Sequence, residues 1–221
     1  MKKPLLIVGD SAFAEIAYEY FTHDSDFEVV AFLVERQYLQ RDSLFGLPVV
    51  ALEDAPALYP PPQHHFYCAN VYTQMNRLRT RLMQDMKGLG YAPASYVSSR
   101  AFVWRNVEIG EHCFIFEDNT VQPFCKIGDN VVLWSGNHIG HHSIIGSHCF
   151  ISSHVVVSGF CTVGQSCFIG VNATFGNNLT VGDDCLIGAG ALIARDVPDN
   201  TLVKGTLSSG APGARAKFGV E

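Results

Sequence analysis

The sequence predicts a small α/β domain over residues 1–92, an all-β parallel β-helix over 93–200, and a tail over 201–221. Three observations carry this reading. From Val97 to Ile193 an aliphatic or aromatic residue recurs at every sixth position, seventeen times without a gap. Nine of the residues that follow it, from Gly110 to Gly188, are glycine. The first 92 residues lack the period and instead alternate short apolar runs with amphipathic stretches. A hexapeptide period is the mark of a parallel β-helix, whose coils bury their apolar sides only against one another.

In the front domain, residues 5–8 form an apolar run that ends at Gly9-Asp10-Ser11, as a strand entering a turn. Residues 12–21 carry apolar side chains at helical spacing. Residues 28–34 read as a second strand and 65–69 as a third. Residues 72–87 contain no Gly or Pro and place Met75, Leu78, Leu82 and Met86 on one side, as in a helix. Pro60-Pro61-Pro62 marks a loop, and residues 88–93 a hinge into the repeats. Strands alternating with helices imply a small parallel sheet of the Rossmann type. A dinucleotide turn needs G-x-G-x-x-G so that the backbone can approach a pyrophosphate. Gly9-Asp10-Ser11-Ala12 keeps only the first glycine, which argues against NAD.

Within the repeats, glycine at the second hexad position suggests corners with backbone angles closed to other residues. The fifth position is small and inward. It takes six of the seven cysteines (Cys113, Cys125, Cys149, Cys161, Cys167, Cys185), which act there as small apolar residues. No CxxC spacing occurs, and free thiols suit a reducing compartment. Asn119 and Asn137 share that position one coil apart, as in an amide ladder. The register sets His141 and His142 outward near the middle of a flat side, and His112 and His148 toward solvent. His154 falls on an open polar strip between Gly136 and Asn172.

A net charge of −6 and a pI near 5.8 provide no basic field for nucleic acid or anionic lipid. No apolar run approaches the roughly 18 residues that span a bilayer. Lys2, Lys3 and the run after them resemble a weak signal peptide, but the run stops at Gly9-Asp10, so a cytoplasmic protein is expected.

The hexad pattern resembles that of the hexapeptide-repeat acyltransferases. The resemblance implies a left-handed β-helix of triangular section with three hexads per coil, assembled as a homotrimer. A Rossmann-like domain ahead of such a helix is similar to one subgroup, the bacterial nucleotide-sugar N-acetyltransferases grouped with the sialic acid O-acetyltransferases. The matching residues are Gly9-Asp10-Ser11, Glu35, Gly46-Leu47-Pro48-Val49, Ala69-Asn70 and Arg77. The segment Ile139-Gly140-His141-His142-Ser143-Ile144-Ile145-Gly146 aligns without gaps.

This resemblance implies an acetyl-CoA-dependent N-acetyltransferase acting on a UDP-, dTDP- or GDP-linked amino sugar in surface glycan synthesis. The front domain would grip the nucleotide through Gly9, Asp10, Ser11, Glu35, Asn70 and Arg77, and the active sites would lie at subunit interfaces. It casts His141 as the general base, with His142 in place of the usual acidic neighbour. Gly159 and Ala189 fall on the acetyl-CoA path. Lys204 and Arg215, the latter in a Gly-Ala-Pro-Gly-Ala-Arg tail segment, are candidates for the CoA phosphates, and His154 for the substrate. No metal is required, since an imidazole accepts a proton from the attacking amine near neutral pH.

Two rival readings share the fold. A sugar O-acetyltransferase of the sialic acid type needs a stronger base, because an alcohol must lose its proton during attack. A zinc hydro-lyase of the γ-type carbonic anhydrase kind would draw three histidines from across a subunit interface.

Overall fold

A computed structural model describes residues 2–205. The front domain is a sheet of six strands: β1 (Lys3–Val8), β2 (Phe27–Val34), β3 (Ser43–Leu44), β4 (Leu47–Ala51), β5 (His65–Cys68) and β6 (Ala92–Pro93). Their order is β3-β4-β2-β1-β5-β6, parallel except for the β3–β4 hairpin. Helix α1 (Ala12–His23) covers one side of the sheet, through Phe13, Ala14, Ala17 and Phe21, and α3 (Arg77–Gly88) covers the other through Leu82, Met83 and Met86. A single short helical turn, α2 (Ala55–Leu58), leads toward β5.

The β3–β4 hairpin was not among the expected strands, and two further details differ from the sequence expectation. The helix expected from residue 72 begins at Arg77, because Gln74, Met75 and Asn76 all lie in the left-handed region. Asn76 is fully buried and its Nδ2 donates to the Cys167 carbonyl at 3.1 Å, which holds this segment off the helical path. The expected hinge over 88–93 is not free either, since β6 extends the sheet edge by pairing with β5.

From Tyr96 to Ile193, two-residue strands recur every six residues and pair in parallel with the strand eighteen residues away, and a last strand, Leu202–Val203, pairs with Leu186–Ile187. They build three flat faces. The first runs from Tyr96–Val97 to Leu202–Val203 in seven strands, the second from Phe102–Val103 to Leu192–Ile193 in six, and the third from Glu108–Ile109 to Thr180–Val181 in five. The hexad-initial residues from Val103 onward and the six cysteines fill the interior, all seven cysteines being buried and free.

The corners correct the reason given for glycine. The left-handed residue is the fourth of each hexad, without a break from His112 to Gly190. Asn, Asp and His tolerate that conformation better than other side chains, and Asn130, His142, His148, His154, Asn172 and Asp184 all occupy it. The glycine at the second position serves close coil-to-coil approach instead. A Cβ on Gly146 would stand 2.6 Å from the Gly164 backbone, and one on Gly170 2.6 Å from the Ala189 nitrogen.

The front domain sits on the first face. Outward residues that a free β-helix would keep polar are here Tyr96, Phe114, Val132 and Phe150, with Phe116 and Trp134 beside them, and they share one core with α1. Phe114 lies 5.7 Å from Phe13, 5.6 Å from Phe21 and 5.2 Å from Tyr67, centroid to centroid. Each such ring buried contributes about 1.5–3 kcal/mol. The docking therefore makes the two domains one body.

The corner between the third and first faces completes the contact. His112 is fully buried there rather than solvent-facing: its Nε2 accepts from the Cys68 amide at 2.8 Å and its Nδ1 meets Asn130 Oδ1 at 2.9 Å. Asn130 Nδ2 in turn reaches His148 Nδ1 at 3.1 Å. Arg79, also fully buried, uses all three of its nitrogens on Asn130, on the Asn70, Val71 and Cys149 carbonyls, and on no carboxylate. Asn119 and Asn137 are buried as expected, but they bond backbone groups and not each other: Asn119 Nδ2 donates to the Phe116 and Trp134 carbonyls, and Asn137 Oδ1 accepts from the Val155 amide.

Candidate functional site

The strand order changes direction between β1 and β5, and a cleft opens there at the carboxyl ends of β1, β2 and β5. This is where open α/β sheets place ligands. The cavity measures about 460 Å³ and is lined by Gly9, Asp10, Ser11, Glu35, Asn70 and Arg81, with Gln37, Tyr38, Thr73 and Gln74 around them. Gly9 has φ +118°, and a Cβ on it would lie 3.2 Å from the Ala69 carbonyl oxygen, so this turn needs glycine. Ser11 is the N-cap of α1 but makes no capping hydrogen bond through its side chain. Ser11 lines the cleft at the amino end of α1, a setting that favours an anionic ligand.

Charge in the cleft is balanced locally. Arg81 Nη2 meets Glu35 at 3.0 Å and Arg41 meets Asp10 at 3.3 Å. Five of the six front-domain residues expected to hold the nucleotide thus converge. Arg77 does not. It pairs with Asp184 on the β-helix, and Arg81, one turn further along α3, occupies the cleft. Arg81 was missed because helical spacing cannot tell which arginine of Arg77, Arg79 and Arg81 faces the cleft.

The second cluster lies at the corner between the second and third faces, opposite the docked domain. His141 and His142 form the turn itself, and not the middle of a flat side. His142 has φ +59° and its ring is sandwiched between Phe124 and Phe160, at 4.6 and 4.8 Å with interplanar angles of 25° and 17°. His141 Nδ1 lies 3.1 Å from His142 Nδ1. The His141 ring covers Gly159, where an added Cβ would come within 2.8 Å of Cε1 and 2.9 Å of Nε2. The His141 amide donates to Gln122 Oε1 at 3.0 Å and the Gly159 amide to Asn177 Oδ1 at 3.0 Å. These corner amides are therefore engaged, and an oxyanion contact from them would require Gln122 or Asn177 to yield.

The backbone accounts for most histidines in the repeats. His112, His142, His148 and His154 all hold the left-handed fourth position. His138 lies half-buried in a second-face strand. His141 holds an exposed third position that imposes no need for histidine.

The remaining expected site residues are dispersed in one chain. His154 lies at the corner between first and second faces, where its ring covers Gly136. Ala189 is exposed at the same corner, and Lys204 is exposed after the last strand. Arg215 lies outside the described residues. The cleft and His141 sit on opposite sides of the β-helix. Among the described residues no group of three or more His, Cys, Asp or Glu is placed to hold a metal ion, and no helix is long and apolar enough to cross a membrane.

Comparison with known proteins agrees with this architecture. Residues 124–159 and 160–195 match the bacterial transferase hexapeptide repeat. The acetyltransferase domain of PglB from Neisseria gonorrhoeae, solved in complex with acetyl coenzyme A, superposes with a TM-score of 0.83 at 23% identity, covering 96% of this chain and 100% of that one. PerB from Caulobacter crescentus, solved with CoA and GDP-perosamine, superposes with a TM-score of 0.80 at 24% identity, covering 90% of this chain and 92% of that one. WeeI from Acinetobacter baumannii gives a TM-score of 0.56 at 19% identity, covering 92% and 97%. No curated protein sequence matches the chain. The likenesses show a shared fold along nearly the whole chain: a small α/β domain ahead of a hexapeptide β-helix.

Proposed function

We propose that the protein transfers an acetyl group from acetyl-CoA to the amine of a nucleotide-linked amino sugar, with His141 as general base. The observation that carries this reading is the pairing of a switch-point cleft with an outward histidine that the repeat backbone does not require. The relatives solved with acetyl coenzyme A and with GDP-perosamine share this domain order, which supports the same division of labour. Gly9, Asp10, Ser11, Glu35, Asn70 and Arg81 would hold the nucleotide, with the amino end of α1 directed at its phosphates.

In the reaction the sugar amine attacks the thioester carbonyl and must shed one proton. Nε2 of His141 takes that proton and returns it to the departing thiolate, so the products are the amide and free CoA thiol. A base of this kind supplies about 10²–10⁴-fold. Gly159 leaves room for the His141 ring, which would meet the acyl end of acetyl-CoA. Ala189 and Lys204 are candidates for other parts of CoA.

Because the cleft and His141 face apart within a chain, the complete site joins two subunits. The surfaces left uncovered by the front domain support assembly: Phe102, Val156 and Leu192 on the second face and Ile144 on the third are exposed, beside Phe124 and Phe160. On the second face these side chains alternate with Thr120, His138 and Thr174, a mixed surface of the kind that packs between subunits. A homotrimer packed through these faces would bring one protomer's His141 toward its neighbour's front domain. The zinc reading is disfavoured by geometry, since His112 and His148 already have partners in the docking network.

Thiol release from acetyl-CoA with a panel of UDP-, dTDP- and GDP-linked amino sugars and their hydroxyl analogues tests the reading. Turnover is expected with an amine acceptor. Transfer only to the hydroxyl analogues, or near-normal turnover in His141→Ala, would overturn it.

A further inference from the structure

We infer that His142 is a positioning residue that fixes the tautomer of His141. The inference rests on the reading of His141 as base and assigns what stands in for the missing carboxylate beside it. A base acting through Nε2 needs its proton on Nδ1, and free imidazole prefers the opposite tautomer. In acyl-transfer sites a carboxylate accepting from Nδ1–H makes that choice and then stabilises the imidazolium. Among the described residues no carboxylate hydrogen-bonds or pairs with His141. Among the described residues its Nδ1 has one hydrogen-bonding partner, His142 Nδ1, at 3.1 Å.

Two nitrogens at that separation share one proton, so one ring donates and the other accepts. If His142 donated, Nε2 of His141 would carry a hydrogen and could not take one from the amine. If His141 donates, its Nε2 lone pair is open, and His142 Nδ1 remains an acceptor after His141 gains a second proton. Only the second arrangement works through the whole cycle.

The surroundings hold His142 ready for this part. Its backbone is left-handed, its amide donates to the Pro123 carbonyl at 3.1 Å, and the stacked rings of Phe124 and Phe160 leave its ring plane little freedom. Phe160 also meets the His141 ring edge-on at 5.0 Å. The two phenylalanines stand eighteen residues to either side of His142, so the same side of the corner is aromatic through three coils. A left-handed corner position alone would accept Asn or Asp with no aromatic neighbours.

The test is spectroscopic and needs no substrate. Long-range proton–nitrogen spectra of the full chain labelled with ¹⁵N-histidine report which ring nitrogen of each histidine carries hydrogen, with His141→Ala identifying the His141 signals. Wild type is expected to hold His141 with hydrogen on Nδ1. His142→Phe preserves the stack but removes the acceptor and should return His141 to the Nε2–H form. His142→Asn tolerates the left-handed backbone, keeps an acceptor oxygen and should retain the Nδ1–H form. An Nε2–H tautomer in wild type, or an unchanged tautomer in a folded His142→Phe, would overturn the inference. Should His142→Phe not fold, the wild-type spectrum alone decides. Turnover does not enter this measurement, so its failure is distinct from failure of the base assignment.

Discussion

The backbone amide of Cys68, at the end of a front-domain strand, donates to Nε2 of His112 at a β-helix corner across 2.8 Å. That bond forces hydrogen onto His112 Nδ1, which then donates to Asn130 Oδ1, and Asn130 passes the polarity on to His148. The tautomers of His112 and His148 both follow from this one amide. Neutral His112 is required throughout, and burial pushes its pKa down to about 3.

Acid should therefore loosen the domain contact. The unfolded chain binds a proton at His112 near the ordinary value of about 6.5, while the folded chain refuses it until about pH 3. The stability this histidine contributes is complete above pH 6.5 and falls away as pH drops from there, by up to about 1.4 kcal/mol per pH unit. His148 and His65, both lowered by burial, add in the same direction. Urea unfolding followed between pH 7 and pH 4.5 should show a steep loss for wild type. His112→Gln should be less stable at pH 7 yet show a shallower slope, and equal slopes would refute this account.

Arg79 should be irreplaceable by lysine. Its guanidinium joins the Asn70–Val71 turn at the cleft to Asn130 and Cys149 of the β-helix, entirely through neutral acceptors. A lysine has three donors and no planar fork, so carbonyls in a dry interface would lose their partners. Each orphaned buried group costs about 1–3 kcal/mol. Arg79→Lys is expected to lower stability by about 3 kcal/mol or more in chemical denaturation. A loss below about 1 kcal/mol would mean the network can relax around a point charge.

The two special backbone positions of the hexad should differ in their tolerance of substitution. Gly146→Ala inserts a methyl within 2.6 Å of the Gly164 backbone, which has no flexible end to move. Overpacking of this kind costs about 1–3 kcal/mol. Asn172→Gly, at an exposed left-handed corner, should stay within about 0.5 kcal/mol of wild type. Equal effects at both sites would contradict the assignment of close approach to one and positive φ to the other.

The six-residue period made the β-helix legible because one constraint, an inward apolar residue, repeats in every hexad. The same ruler failed at the corners. It counts residues but holds no information about which hexad position turns left-handed, so glycine was credited with a role that Asn, Asp and His perform. It also passed over a stripe at eighteen-residue spacing, Tyr96, Phe114, Val132 and Phe150, whose outward apolar side chains mark the face on which the front domain docks. His112 looked solvent-facing for that reason. In the front domain the apolar runs of β1, β2 and β5 were legible, whereas β4, whose run is broken by Pro48, was not, and β3 and β6 are two residues each and are made by pairing, not propensity. Gly9, Asp10, Ser11, Glu35 and Asn70 were named from the family resemblance, and the fold brings them together because turn residues after parallel strands meet at one edge. Arg81 needed the helix orientation, which depends on the burial of Arg79.

Gly159 should matter through His141 alone. Its φ is not in the left-handed region, and the three atoms nearest a built Cβ all belong to the His141 ring, at 2.8, 2.9 and 3.3 Å. An imidazole can rotate away from a methyl group where a coil backbone cannot, so Gly159→Ala should cost little in folding. The displaced ring would lose its alignment with His142 Nδ1, and a misplacement of about 1 Å in a reacting group can cost on the order of 10²-fold in rate. The expected outcome is a melting temperature within a few degrees of wild type, with kcat for acetyl transfer reduced by about that factor. Binding of the nucleotide part of the substrate should be unchanged, because Gly9, Asp10, Ser11, Glu35, Asn70 and Arg81 line its cleft and neither Gly159 nor His141 does. A Gly159→Ala protein with normal kcat would mean that the seat of His141 over Gly159 is incidental to the chemistry.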